Sequence, residues 1–176
     1  MKKPIVVNFL GGSGLGKSTM SASLFAHLKK QGVDCELITE YAKDKCWEES
    51  AKVLDNQPYV FGKQFHRLQR VADKVECCVT DSPLILSILY NKEFPSLNPL
   101  VIECFNKFRN INILLKRTVG YNENGRLQTY EEASEMDRKL IGILEDNDVP
   151  YWTFDPMSQE EEMFDVVSKL IRLHRD

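Results

Sequence analysis

The chain has 176 residues, enough for one domain with a proper core and short for two. Hydrophobic residues make up 43% and charged residues 28%, an ordinary balance for a water-soluble globular domain. A net charge of −3 does not mark a nucleic-acid binder by bulk electrostatics, and no apolar stretch reaches the length of a membrane span.

Met1-Lys2-Lys3 leads straight into an apolar run, Ile5 to Leu10, rather than into a signal peptide, which sets the expectation of a cytoplasmic protein. That run suits a buried strand. It is followed by Gly11-Gly12-Ser13-Gly14-Leu15-Gly16-Lys17-Ser18, a full match to the phosphate-loop pattern G-x-x-x-x-G-K-[ST]. The glycines let main-chain N–H groups curl around a polyphosphate, Lys17 reaches the outer phosphates, and Ser18 is placed to hold Mg²⁺. Met20, Leu24 and Leu28 fall on one face of a helix that starts here. Its first residues, through Thr19, aim N–H groups and the positive end of the dipole at the phosphates. Gly32 stands where that helix stops.

Further strands are expected at Asp34 to Thr39, Val75 to Thr80, Ile111 to Lys116 and Tyr151 to Phe154. Helical stretches separate them, so the sequence predicts an α/β fold with a parallel sheet covered on both faces, forming a single domain over residues 1–176. Asn56-Gln57-Pro58 divides the stretch from Lys43 to Lys74 into two helices. A helix is expected to begin near Pro83, and Pro95 and Pro99 to precede another from about Leu100 to Phe108. Val119 to Thr129, with Gly120 and Gly125, reads as a loop, and Tyr130 to Asp146 as a charged amphipathic helix. Pro150 opens the last strand, Ser158 is expected to cap the closing helix, and Glu160-Glu161-Glu162 reads as its solvated first turn. The five cysteines are odd in number and form no C-x-x-C pair, and the three histidines are scattered. They give no zinc pattern, and free thiols, mostly in the core, are expected.

Ligands of an open parallel sheet sit at the carboxyl ends of its strands, so the residues just past each strand carry the chemical expectations. Glu40 ends the second strand and can orient or deprotonate an acceptor hydroxyl, or serve as a helix N-cap; Asp44 is a weaker candidate for the same work. Asp81 follows the third strand, where an acid completes a Mg²⁺ shell or caps the next helix. Arg126 lies in the loop after the fourth strand and can close over a transferring phosphoryl group, with Arg117 and Arg138 flanking it. Gln64, Arg67 and Arg70 share one helical face, near Phe61 and Phe65. The glutamine suits the edge of a base and the aromatics suit stacking on a ring; the alternative is ordinary amphipathic-helix decoration. Asp155-Pro156 borders the nucleotide's adenine on topology alone.

Among phosphate-loop proteins, a GTPase needs Asn-Lys-x-Asp and Asp-x-x-Gly. Here Asn91-Lys92-Glu93-Phe94 and Asp81-Ser82-Pro83-Leu84 lack them. A motor or AAA-type ATPase ordinarily needs more chain, whereas a small kinase needs only the sheet, an acceptor pocket and a lid. In addition to the phosphate loop, the chain carries Glu40-Tyr41-Ala42, Gly62-Lys63-Gln64, Thr80-Asp81-Ser82, Ile113-Leu114-Leu115-Lys116, Asn124-Gly125-Arg126 and Val149-Pro150-Tyr151. In that order it resembles the nicotinamide-riboside kinase domain of bacterial NAD-salvage regulators, and more broadly the nucleoside and nucleotide kinases. The resemblance implies a five-stranded parallel sheet in the order 2-3-1-4-5 with a lid at about 118–129. It implies ATP with Mg²⁺ as donor and a nucleoside-like acceptor. It also carries over Glu40 for the acceptor hydroxyl, Asp81 for the metal or substrate, and Arg126 for the lid; Gln64 and Arg67 are expected on the substrate side from their shared helical face alone.

The acid-Arg-Ser triplet of deoxynucleoside kinases is replaced by Asp81-Ser82-Pro83. A similarity to tailed-phage kinases adds a hydroxymethylated base in DNA as an alternative acceptor, with Lys63, Arg67, Arg70 and Lys74 as a basic groove. The remaining alternative is a phosphate-loop ATPase or switch that phosphorylates nothing.

Overall fold

The computed structural model describes residues 3–117 and 129–175. Five parallel strands stand in the order β2-β3-β1-β4-β5: β1 Ile5–Leu10, β2 Cys35–Ile38, β3 Cys77–Thr80, β4 Arg109–Leu115 and β5 Trp152–Phe154. The helices are α1 Lys17–Lys30, α2 Tyr41–Trp47, α3 Gln57–Ala72, α4 Leu86–Tyr90, α5 Leu97–Phe105, α6 Tyr130–Asp146 and α7 Glu160–Arg175, with a 3₁₀ turn at Ala51–Asp55. The strand order and the two helical layers are those expected.

Every residue of β1 is buried, because the central strand has a layer on each side. Val7 and Phe9 face α1 and α7 through Leu24, Leu28, Met163 and Val167. Val6 and Leu10 face the other layer, where Phe61 and Leu68 of α3, Val101 of α5 and Leu140 of α6 pack. Asn8 interrupts this apolar alternation. Its amide donates to Asn110 Oδ1 and Asn112 Oδ1, both at 2.9 Å, and Asn112 passes its own amide to Pro150 O at 2.9 Å. The network is satisfied by pairing across β1 and β4, which fixes that register.

Several boundaries differ from expectation. α5 begins at Leu97, so Pro99 lies inside its first turn, where a missing N–H costs nothing because the first N–H groups of a helix have no partner within it. The helix after Pro83 starts only at Leu86. Ser158 does not cap α7, which starts at Glu160; the Gln159 carbonyl accepts the first bond, from Met163 N–H at 3.0 Å. α6 runs as expected from Tyr130 to Asp146 and opens on a reciprocal capping box between Thr129 and Glu132. Cys35, Cys77, Cys78 and Cys104 are buried and Cys46 is exposed. Among the described residues no helix is long and apolar enough to cross a membrane.

Candidate active site

The phosphate loop joins β1 to α1 at the carboxyl edge of the sheet. It needs glycine at Gly11, whose φ is 138° and whose added Cβ would come within 2.4 Å of Leu15 Cδ1. Gly16 takes a left-handed φ of 78° just before Lys17 opens the helix. The loop forms one wall of a cleft of about 670 Å³, through Ser13, Gly14, Gly16, Lys17, Ser18 and Thr19. Glu40, Lys43 and Trp47 come to it from the β2–α2 side, Val60 and Gln64 from α3, and Pro83, Leu86 and Tyr90 from the β3–α4 side. A smaller cavity of about 270 Å³ lies at the amino ends of β1 and β3, beside Ile5, Val75 and His174, away from this edge.

Lys17 Nζ donates to Gly12 O at 2.7 Å. Burial lowers its ammonium below the ordinary lysine value, while Glu40, Asp81 and Asp137 act against that shift. Glu40 sits at the N-cap position of α2 but makes no side-chain cap bond, so the capping alternative does not account for it. Its carboxyl is raised above the ordinary range by burial, with Lys17 opposing and Asp81 reinforcing. The Ser18 hydroxyl donates to Asp81 Oδ2 at 2.6 Å. Asp81 is buried, and its Oδ1 has no hydrogen-bond partner. Its alternative role as a cap falls away too: the next helix starts at Leu86 with Ile85 at its N-cap position, four residues past Asp81.

Lys17, Ser18, Glu40 and Asp81 are thus brought together. The α3 residues are used differently from expectation. Gln64 Oε1 accepts the Tyr41 N–H at 3.0 Å, and Nε2 donates to Thr39 O at 3.4 Å. Arg67 donates to Thr39 O at 3.2 Å and pairs with Asp44, which removes Asp44 from the hydroxyl-activating role. Phe61 and Phe65 stack on each other at 5.9 Å in the layer of α3, α5 and α6 rather than offering a face to a ligand. Asp155 turns onto its own chain and accepts the Met157 N–H at 2.9 Å. Arg138 pairs with Glu135 on the surface of α6. Arg126 and most of the expected lid, residues 118–128, lie outside the described residues.

The sequence reading missed two residues at this edge. Asp137 of α6 accepts the Gly12 N–H at 2.5 Å through Oδ1, and through Oδ2 the Arg117 Nε–H at 2.7 Å. Arg117 also donates to Ser13 O at 3.0 Å, so α6 and the end of β4 are tied to the phosphate loop. Tyr90 is the other; its hydroxyl is pushed up to about 12 by burial and by Glu40 and Asp137. An acid eight positions into a charged helical stretch gives no local signal, and neither does a tyrosine ending a short apolar helix.

The family described as AAA domain matches residues 6–161. The chain belongs to that family. Its length therefore does not argue against the AAA name, contrary to the expectation from size. No curated protein matches the sequence. Among solved structures, the NadR protein in complex with NR is similar at a TM-score of 0.74 and 18% identity, over 94% of this chain and 51% of that one. This chain thus spans about half the length of that NadR chain. A deoxyadenosine kinase from M. mycoides, with the products dCMP and a flexible dCDP bound, is similar at a TM-score of 0.58 and 18% identity, over 95% of this chain and 98% of that one. The fold is the one shared by these two proteins, in line with the resemblance drawn from the motifs.

Proposed function

We propose that this AAA-domain protein is a kinase that transfers the γ-phosphoryl group of ATP to a hydroxyl of a nucleoside-like acceptor. The observation that carries this reading is one cleft holding the phosphate loop on one wall and the Glu40 carboxylate on another. A phosphate loop alone serves many NTPases; an acid facing it across a partly apolar concavity suits a second, small substrate. The likeness to NadR and to the deoxyadenosine kinase supports the same class.

Loop N–H groups and Lys17 bind the donor's phosphates at the N-terminus of α1. Ser18 and Asp81 are the residues that would hold Mg²⁺. A hydroxyl and a carboxylate suit a hard cation, and the buried Asp81 Oδ1 lacks a protein partner. Among the described residues no group of three or more His, Cys, Asp or Glu is placed to hold a metal ion. When bound, Mg²⁺ supplies charge neutralisation at the phosphates. Glu40 receives the acceptor's hydroxyl proton as the new P–O bond forms and the bond to the leaving ADP oxygen breaks. Its raised affinity for a proton suits that task. Arg126 is proposed to close over the transferring group, and the wall from Trp47 to Tyr90 to take the acceptor's apolar part.

DNA as acceptor is less well supported. In the expected basic groove, the Arg67 charge is used by Asp44, and Lys63 lies over the Tyr59 ring at 5.3 Å. Labelled ATP incubated with nucleosides, nucleotides and hydroxymethylated DNA in separate reactions tests the proposal. Label transferred to a small acceptor is the expected result. Hydrolysis without a phosphorylated product, under all three conditions, overturns it in favour of an ATPase or switch.

A further inference from the structure

Gln64 grips the main chain on both sides of Glu40. The carbonyl it binds, Thr39 O, belongs to the peptide before Glu40, and the N–H it binds, from Tyr41, belongs to the peptide after it. Holding both flanking peptides fixes the two backbone torsions of the residue between them. Glu40 stands at φ −67°, ψ 123°, extended, while Tyr41 is already helical. This is the point where the chain turns from strand to helix. Its position decides where the carboxylate sits relative to the phosphate loop.

The grip comes from a rigid base. Gln64 is 5% exposed, in the middle of the sixteen-residue helix α3. Arg67, one turn further on, donates to the same Thr39 carbonyl at 3.2 Å and lies 5.3 Å from the Tyr41 ring centre. Its pairing with Asp44 reaches the first turn of α2. α3 therefore holds the strand end, the turn and the start of the next helix together. Both of the amide's bonds described here serve the main chain.

We propose that Gln64 is a positioning residue that acts through Glu40, rather than a contact to the acceptor. The proposal rests on the kinase reading for its effect on turnover, but the clamp itself is testable without activity. The groups facing the Glu40 carboxyl are Lys17 of α1, Asp81 at the end of β3, Lys43 and Asp44 of α2, and Tyr90 of α4. Loosening the turn changes the distance from the carboxyl to all of them, and so changes its titration.

The test compares wild type with Gln64→Met, which fills the space without hydrogen bonds. Gln64→Glu is the second variant; it keeps an acceptor for Tyr41 N–H and loses the donor to Thr39. Carbon-13 NMR of the glutamate carboxyls, with the Glu40 signal identified by its absence in Glu40→Gln, gives the titration directly. Nucleotide calorimetry and steady-state kinetics accompany it. The expected result is a Glu40 titration moved toward the ordinary carboxylate range in Gln64→Met. With it, kcat falls about ten- to a hundredfold, as for a displaced catalytic group, while ATP affinity and acceptor KM hold within about twofold. Gln64→Glu falls between. If Gln64→Met does not fold, Gln64→Leu takes its place, since the charge of Gln64→Glu bears on Glu40 directly. An unchanged Glu40 titration overturns the proposal, whatever the activity. So does a rise in acceptor KM with kcat held, which makes Gln64 a substrate contact. A moved titration in a protein that phosphorylates no acceptor keeps the clamp and removes the kinase reading.

Discussion

The Ser18 hydroxyl donates a hydrogen bond to Asp81 Oδ2 at 2.6 Å, which joins the first turn of α1 to the exit of β3. The other Asp81 oxygen is buried and accepts no hydrogen bond. An unmatched buried carboxylate oxygen is costly, and it persists where a ligand completes the set. Asp81→Asn keeps the shape and removes the charge. The tightening of ATP binding by Mg²⁺ is expected to weaken about ten- to a hundredfold, as when the support of a metal ligand is lost. Binding without Mg²⁺ should change little. Calorimetry with and without the metal checks this, and equal losses in both would assign Asp81 to the fold instead.

Glu40 has a cost to stability that its variant should reveal. Burial raises its carboxyl, so the folded protein holds that proton more tightly than the unfolded chain does. Such a group supports the fold below the ordinary carboxylate value, and that support is lost as pH rises through the folded value. Glu40→Gln removes the loss. The variant is expected to melt higher than wild type at neutral pH, with the gap closing as pH falls below the ordinary carboxylate range. Its turnover should drop about 10²- to 10⁴-fold, as for loss of a general base. Thermal melts across pH and a phosphotransfer assay measure the two effects. A lower melting point at neutral pH would make Glu40 a structural residue.

Asn8 tests the polar seam in the sheet. It supplies the donors for the Asn110 and Asn112 side-chain oxygens within an otherwise apolar layer. Asn8→Ala strips both oxygens of that donor and is expected to cost about 1–3 kcal/mol. Urea denaturation should show the lowered midpoint at an unchanged slope. A loss below 0.5 kcal/mol, on the order of a neutral surface change, would mean that water or a shifted strand replaces the amide.

The parts of the fold and site that were legible in the sequence are those written locally. Ile5 to Ser18 spells strand, loop and helix start in consecutive residues, and the charged amphipathic run from Tyr130 to Asp146 spells α6. Glu40 and Asp81 were legible because a parallel sheet gathers the ends of its strands at one edge. What remained hidden depends on distant partners. Asp137 meets Gly12 across 125 positions, and Gln64 meets Tyr41 across 23. Gln64 and Arg67 have side chains suited to a ligand, and nothing local says that the β2–α2 turn takes them first. The start of α5 was misplaced because proline reads as a boundary, yet a first helical turn accepts it.

Cys46 gives a direct reading of cleft occupancy. Of the five cysteines it alone is exposed, and it lines the cleft next to Trp47. Burial raises the Cys77 thiol out of the reactive range and pushes Cys78 up to about 12; Cys35 and Cys104 are raised as well, again by burial first. Thiolate is the reactive form, so an alkylating reagent should modify one thiol rapidly in the native protein and five after denaturation. A nucleoside-like acceptor seated against the wall from Trp47 to Tyr90 covers Cys46. Its modification should then slow about tenfold or more at saturating acceptor, since protection scales with the fraction of sites filled. Mass spectrometry of the labelled peptide, with Cys46→Ser as the blank, makes the measurement. Fast labelling of Cys46 that no acceptor slows, in a protein that phosphorylates that acceptor, would move the acceptor away from α2 and toward the wall formed by Leu86 and Tyr90.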